Sequence, residues 1–152
     1  MRFGYAISLI CFLLILTACS KHKPQVYTSD CTNDYAYRKL SYRNLMDSLN
    51  YYNGKFIEVD GIYQQGKHLS ALVNDSSSAD KDAGHSIWIN FSPDCPLYMP
   101  NTHIGLFEAQ DGEYKSFNDT KMVVRGRLQL HQPTDSNKYV AILNDIIYLK
   151  LQ

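Results

Sequence analysis

The spacing of apolar and polar residues changes character several times along the chain, and each change predicts an element. Phe3 to Ala18 (FGYAISLICFLLILTA) is a continuous apolar run without a charge, preceded only by Met1 and Arg2. A membrane span needs about 20 such residues to cross roughly 30 Å of hydrocarbon, so this shorter run has the length of a signal-peptide core. Ser20 to Asp34 (SKHKPQVYTSDCTND) is polar, holds Pro24 and shows no period, which predicts a tether. From Ser41 to Tyr52 (SYRNLMDSLNYY), Leu45, Met46 and Leu49 fall on one helical face that Tyr42 and Tyr52 extend. The pattern predicts a short amphipathic helix, with Ser41 as its N-cap and Asn53–Gly54 as its left-handed stop.

Beyond Gly54 the period drops to two, the signature of strands with one buried face. Lys55 to Tyr63 alternates Ile57, Val59 and Gly61 against Glu58 and Asp60, and a turn at Gln64 to Gly66 sends the chain back through His68 to Val73. Asn74 to Gly84 (NDSSSADKDAG) is a polar loop. His85 to Phe91 is a third strand, with Ile87, Ile89 and Phe91 on one side and Ser86, Trp88 and Asn90 on the other. Ser92 to Thr120 is long and irregular, with at most one helical turn around Ile104 to Ala109. Lys121 to Leu130 alternates again, with Met122, Val124, Gly126, Leu128 and Leu130 inward. After a turn at Pro133 to Asn137, Tyr139 to Leu151 is a last strand, bent near Asn144 and Asp145.

One internal echo stands out: Lys55–Gly61 and Lys121–Gly126 share the same phase and each ends on glycine. Glycine inside a strand marks a bulge or sharp bend, which small barrels need in order to close. Five strands, glycines in two of them and a long connection between the third and fourth give the order of an OB-fold. The segment from Lys55 to Leu151 resembles the OB-fold domains of bacterial exported proteins, in which a G-K-x-x-x-V-x-G strand opens the barrel. Here that motif reads Gly54, Lys55, Val59 and Gly61. The fold class expected is therefore mainly β, a five-stranded OB-fold-like barrel preceded by a short N-terminal helix. Ser92 to Thr120 departs from the pattern in showing no convincing helix, which leaves another small β-barrel or a sandwich as the alternative.

Leu16, Thr17, Ala18 and Cys19 resemble the lipobox of bacterial lipoprotein signals. The resemblance implies cleavage before Cys19, a diacylglycerol on its thiol and acylation of its new amino group. At about 0.8 kcal/mol per buried methylene, two or more chains hold a protein stably where one does not. In such lipoproteins an Asp after the cysteine commonly signals inner-membrane retention, so Ser20 points to the outer membrane. A plain secretory signal or an uncleaved anchor is the alternative. The chain then divides into a signal peptide (1–18), a lipidated N-terminus and tether (19–40) and one domain (41–152), a size that suits one core among 152 residues.

Fifteen Lys and Arg balance fifteen Asp and Glu. No basic surplus argues for a nucleic-acid partner, and none is expected. Of four cysteines, Cys11 leaves with the signal and Cys19 takes lipid, so Cys31 and Cys95 remain as a pair for one disulfide in an oxidising compartment. Two unpaired thiols or a metal site are the rivals. His68, His85, His103 and His131 are dispersed, no metal-peptidase spacing occurs, and there is no G-x-S-x-G elbow. Neither a catalytic residue, a metal nor a cofactor is therefore expected. The second and third strands of an OB-fold often carry the ligand face, here His68, Ser70, Trp88 and Asn90. Trp88 is the candidate stacking platform unless the N-terminal helix covers it. These features suggest a noncatalytic envelope module that meets the bilayer through Cys19 and binds an envelope protein or a glycan. An oligosaccharide or peptidoglycan binder is the alternative, and a metal-dependent hydrolase a third reading.

Overall fold

The computed structural model describes residues 24–31, 35–74, 85–109, 111, 113–132 and 139–152. The apolar N-terminal run, Cys19 and the turn expected at Pro133–Asn137 lie outside the described residues. Within them the chain forms β1 (Val26–Thr28), β2 (Arg38–Leu40), α1 (Tyr42–Met46), α2 (Leu49–Tyr52), β3 (Phe56–Gly66), β4 (Leu69–Val73), β5 (Ile87–Ile89), β6 (Thr120–Leu130) and β7 (Ala141–Leu151).

Strands β3 to β7 close on themselves. β3 pairs antiparallel with β4 and β6, β4 with β5 and β6 with β7, while β5 and β7 complete the ring in parallel. This is the five-stranded OB-like barrel expected, with β1 and β2 added outside it. Its interior is the inward row of each strand: Ile57, Val59 and Tyr63 of β3, Leu72 of β4, Ile87 and Ile89 of β5, Met122, Val124 and Leu128 of β6, and Ala141, Leu143, Ile146 and Leu149 of β7.

The two echoed segments turn out to be partners. In the β3–β6 ladder Ile57 faces Gly126 and Gly61 faces Met122, so each glycine sits across from the other strand's bulky residue. Both glycines are sterically required. A Cβ on Gly61 would lie 2.7 Å from Leu72 Cγ and 2.8 Å from the Val73 carbonyl oxygen; one on Gly126 would lie 2.6 Å from the Asn144 carbonyl oxygen. Gly126 stands where the β6–β7 register shifts, between the pairs Arg125–Tyr148 and Arg127–Asn144. The surplus residues of β7 bulge there, with Asp145 at φ 50°, and Ile146 fills the space that the missing side chain leaves.

The segment expected to be a tether is partly built into the fold. Val26–Thr28 pairs with Tyr148–Lys150 of β7, and Tyr27 is 1% exposed in the core. β2 lies parallel to Ile57–Val59, the part of β3 that β4 does not reach. Both short strands thus cover edges that a barrel with unequal strands leaves open, where unpaired N–H and C=O groups would otherwise face other chains. Three residues carry too little alternation to be visible in the sequence.

The predicted helix is two helices. Ser41 caps α1, its hydroxyl accepting from the Asn44 backbone N–H at 3.3 Å, and Gly54 stops α2 at φ 77°. Asp47 and Ser48 interrupt the run between them; short polar side chains of this kind compete with the helix for backbone hydrogen bonds. The Tyr42 hydroxyl fixes α1 to the barrel by donating towards the carbonyls of Leu72 and His85. β3 also runs on through the residues expected to turn, and the reversal falls at Lys67–His68, with His68 at φ 62°.

Cys31 and Cys95 are joined in a disulfide, with their Cα atoms 5.7 Å apart. The bridge fastens the arm after β1 to the loop that follows β5. Among the described residues that loop has no helix. It is held by isolated bridges, Tyr98 to Thr28 and to Gly105, and Glu108 to Tyr114, and by the side chains of Leu97, Leu106 and Phe117 in the core.

Candidate functional site

The closed barrel turns its outer polar rows towards the N-terminal arm, and the charges there are mutually satisfied. Glu58 is only 5% exposed, and its carboxylate accepts from Arg125 Nε at 2.6 Å and meets Lys39 Nζ at 3.3 Å. Burial alone would raise its pKa, but the hydrogen bonds and charges of Arg125 and Lys39 outweigh that and hold the carboxyl below its usual range. The Arg125 guanidinium lies between the rings of Tyr37 and Tyr148, 3.9 and 4.1 Å from their centroids. Arg127 covers Phe56, on which Tyr35 is stacked at 4.3 Å, and pairs with Asp145 at 3.0 Å. These cation–π contacts rivet the arm to the barrel rather than leave a charged surface to recruit a partner.

A shallow groove of about 370 Å³ lies elsewhere, over the end of the barrel where β3 turns into β4 and β5 leads into the long loop. The four residues expected to form a binding face, His68, Ser70, Trp88 and Asn90, all line it. They come together because Ala71 pairs with Trp88, which brings the start of β4 beside the end of β5. The roles of the four differ. His68 is an exposed turn residue. Ser70 is a structural link: its hydroxyl donates to the Ile89 carbonyl at 2.7 Å and therefore accepts from the Tyr63 hydroxyl at 3.0 Å. Asn90 donates from Nδ2 to Asn144 Oδ1 at 2.8 Å, across the neighbouring β7 bulge. Trp88 is partly buried against Tyr139, 5.3 Å between centroids, and Tyr139 in turn packs on His131. The helices lie on β3 and β6 and on the β4–β5 carbonyls instead.

The groove's second wall comes from residues that sequence reasoning missed. Phe107 and Tyr114, from the irregular loop, are stacked with their planes 2° apart, and Phe91 and Phe117 meet Phe107 edge-on. Gln65 sets the position of Tyr114 through a 3.0 Å hydrogen bond to its hydroxyl, while its Oε1 accepts from the Phe117 backbone N–H, also at 3.0 Å. Tyr63 packs edge-on to Phe91. Burial raises the Tyr63 phenol above its usual pKa, and nearby Tyr114 adds to this against the hydrogen bond with Ser70. Only the aromatic content of Ser92–Thr120 could have signalled this wall, since no period marks it.

Among the described residues no Lys, Arg, Asp or Glu lines the groove. It offers rings, amides, a hydroxyl already engaged and an imidazole, a set suited to stacking and neutral hydrogen bonding. Among the described residues no three His, Cys, Asp or Glu side chains gather in a group able to hold a metal ion. His85 and His103 are exposed on separate loops, and His131 Nε2 is buried with no hydrogen-bond partner among the described residues. Among the described residues no helix is long and apolar enough to cross a membrane. No protein-family model, curated protein or solved structure matches the chain.

Proposed function

We propose that this protein is a noncatalytic binding module of the bacterial cell envelope, held to its membrane by acyl chains on Cys19, outer membrane rather than inner, and that the groove on β3, β4 and β5 is its binding surface. The observation that carries this is the uncharged aromatic groove, where four residues from two strands and a turn meet a wall of stacked rings supplied by the loop. The lipobox-like run Leu16–Cys19 and the exported type of disulfide support the address. Binding fits the site better than catalysis, because the hydroxyl of its serine is committed to the Ile89 carbonyl and the Tyr63 phenol.

The absence of charge in the lining favours a second, narrower reading, an oligosaccharide or peptidoglycan fragment stacked on Trp88 and Tyr114. Trp88 is the chain's one tryptophan, so its fluorescence reports the groove directly. Titration with soluble muropeptides and neutral oligosaccharides should shift Trp88 emission in a saturable way. Unchanged emission throughout would remove the glycan reading. The anchor has its own test: cells given labelled palmitate should mark the wild-type protein and leave Cys19→Ser unmarked, and equal labelling would sink it.

A further inference from the structure

We infer that the groove opens onto the same membrane that holds Cys19 and takes the sugar headgroup of a glycolipid lying in it; this rests on the acyl-anchored module proposed above.

Strand direction carries the first step. The exit of β5 reaches the groove through β4, since Ala71 pairs with Trp88, while on its other side Ile89 pairs with Leu143 near the start of β7. Tyr63 near the end of β3 pairs with Thr120 at the start of β6, and Met122 pairs with Leu151. One end of the β3–β6–β7 ladders therefore gathers the groove's Tyr63, the start of β6 and the last residues of β7. The chain joins the fold at that same end. The Gln25 carbonyl accepts from Leu151 N–H at 2.8 Å, and Gln25 Oε1 accepts from Lys115 Nζ at 3.0 Å, one residue from the groove's Tyr114.

Reach carries the second step. Six residue steps separate Cys19 from Gln25, and a fully extended chain covers at most about 3.3–3.6 Å per residue, roughly 20 Å in all. A barrel leashed that short presents its anchored end to the headgroups. The distribution of exposed apolar side chains agrees. Among the described residues the exposed large apolar side chains are Tyr35, Tyr37, Tyr51, Leu69 and Tyr114; Tyr114, 68% exposed and the most open of them, stands with Leu69 on the groove rim at the anchored end.

The lining selects among headgroups. A phosphate-only or anionic headgroup calls for Lys or Arg in the groove, and among the described residues none lines it. Two lysines flank it in sequence: Lys115, tied to Gln25, and the exposed Lys67 of the β3–β4 turn, which is not among the lining residues. Hydroxyl-rich rings with apolar faces suit Trp88 and Tyr114, whose inner faces rest on Tyr139 and Phe107.

The test uses the full acylated protein in phosphatidylcholine vesicles with and without about one-tenth digalactosyldiacylglycerol, flotation being scored first. A nitroxide on the phosphatidylcholine headgroup should quench Trp88 at least twofold. Inserting about twenty Gly-Ser residues between Lys23 and Pro24 lets the domain range about 25 Å further and should relieve most of that quenching. The glycolipid should shift Trp88 emission, Tyr114→Ala should weaken that response at least fivefold without altering flotation, and Tyr114→Phe should keep most of it. A protein that floats with an unquenched Trp88 has its groove turned away, which overturns the inference while the anchor stands. Quenching with no response to the sugar, or a response to phosphatidylglycerol instead, overturns the ligand assignment. Failure to float removes the anchor, and the inference with it.

Discussion

Replacing Gly126 with alanine should be among the most costly single-methyl changes in this protein. The added Cβ would lie 2.6 Å from the Asn144 carbonyl oxygen, 2.8 Å from Ile146 Cδ1 and 3.0 Å from Leu143 Cγ. Ile146 can swing aside, but the carbonyl belongs to the backbone of the β7 bulge, on which Asn90 and Gln129 also depend through the Asn144 side chain. Forcing extra volume into a packed core costs about 1–3 kcal/mol, and a backbone clash puts this site at the top of that range. For a domain of this size each kcal/mol lowers Tm by roughly 3–5 °C, so a fall of about 9–15 °C is expected. Gly66→Ala is the control, because its Cβ meets nothing nearer than Leu69 Cβ at 3.6 Å and should change stability by under about 0.5 kcal/mol. Gly54→Ala falls between: it has open space but a φ of 77°, and costs about 1 kcal/mol in strain. Circular dichroism melts of the three variants, begun at Ser20 to omit the signal and lipid, give the order. If Gly126→Ala melts with the parent, or Gly66→Ala falls as far, the close β6–β7 crossing does not exist as described.

Breaking the bridge with Cys31→Ser should cost roughly 2–4 kcal/mol in urea unfolding, since it releases a closed loop with a sequence separation of 64; a reductant should destabilise the parent and leave the variant unmoved. Glu58 sets an acid limit. Its carboxyl is held below its unfolded value of 4.5, so its contribution is complete above that pH and is lost as pH falls through the lower folded value. Glu58→Gln should cost about 1–3 kcal/mol at pH 7 and flatten the loss of stability below pH 4.5, a difference that melts at pH 3 to 7 would show. Gln65→Ala should leave the barrel intact yet free the Tyr114 ring, seen as a loss of any ligand-dependent change in Trp88 emission with Tm within about 3 °C of the parent.

The long strands β3, β6 and β7 were legible because each carries several alternations, β5 because the alternation runs past its three residues from His85 to Phe91, and the glycines at 61 and 126 because a barrel must bend where no side chain fits. Four residues of the groove followed from the strand order together with the OB-fold likeness, in which the second and third strands carry the ligand face. What escaped notice has too little pattern to read. β1 and β2 are three residues each, and their stability comes from the open edges of β7 and β3, which exist only once the barrel has closed. The break at Asp47–Ser48 required weighing two weak helix formers against an apolar face that continues through Leu49. Phe107 and Tyr114 are placed by stacking and by Gln65, contacts spanning some 49 residues of sequence that no local period encodes. Ser70 also changed meaning in three dimensions, from candidate ligand contact to the link between the Tyr63 hydroxyl and the Ile89 carbonyl.

The central claim is that the Trp88–Tyr114 groove is where this protein meets its partner. Placing a photoreactive benzoylphenylalanine at Tyr114 or, on the opposite face, at Tyr51, and irradiating living cells measures this most directly. The account predicts one discrete adduct from position 114, identifiable by mass spectrometry, that disappears with Trp88→Ala and has no counterpart from position 51. Adducts from position 51 alone, or adducts from 114 indifferent to Trp88→Ala, would contradict it.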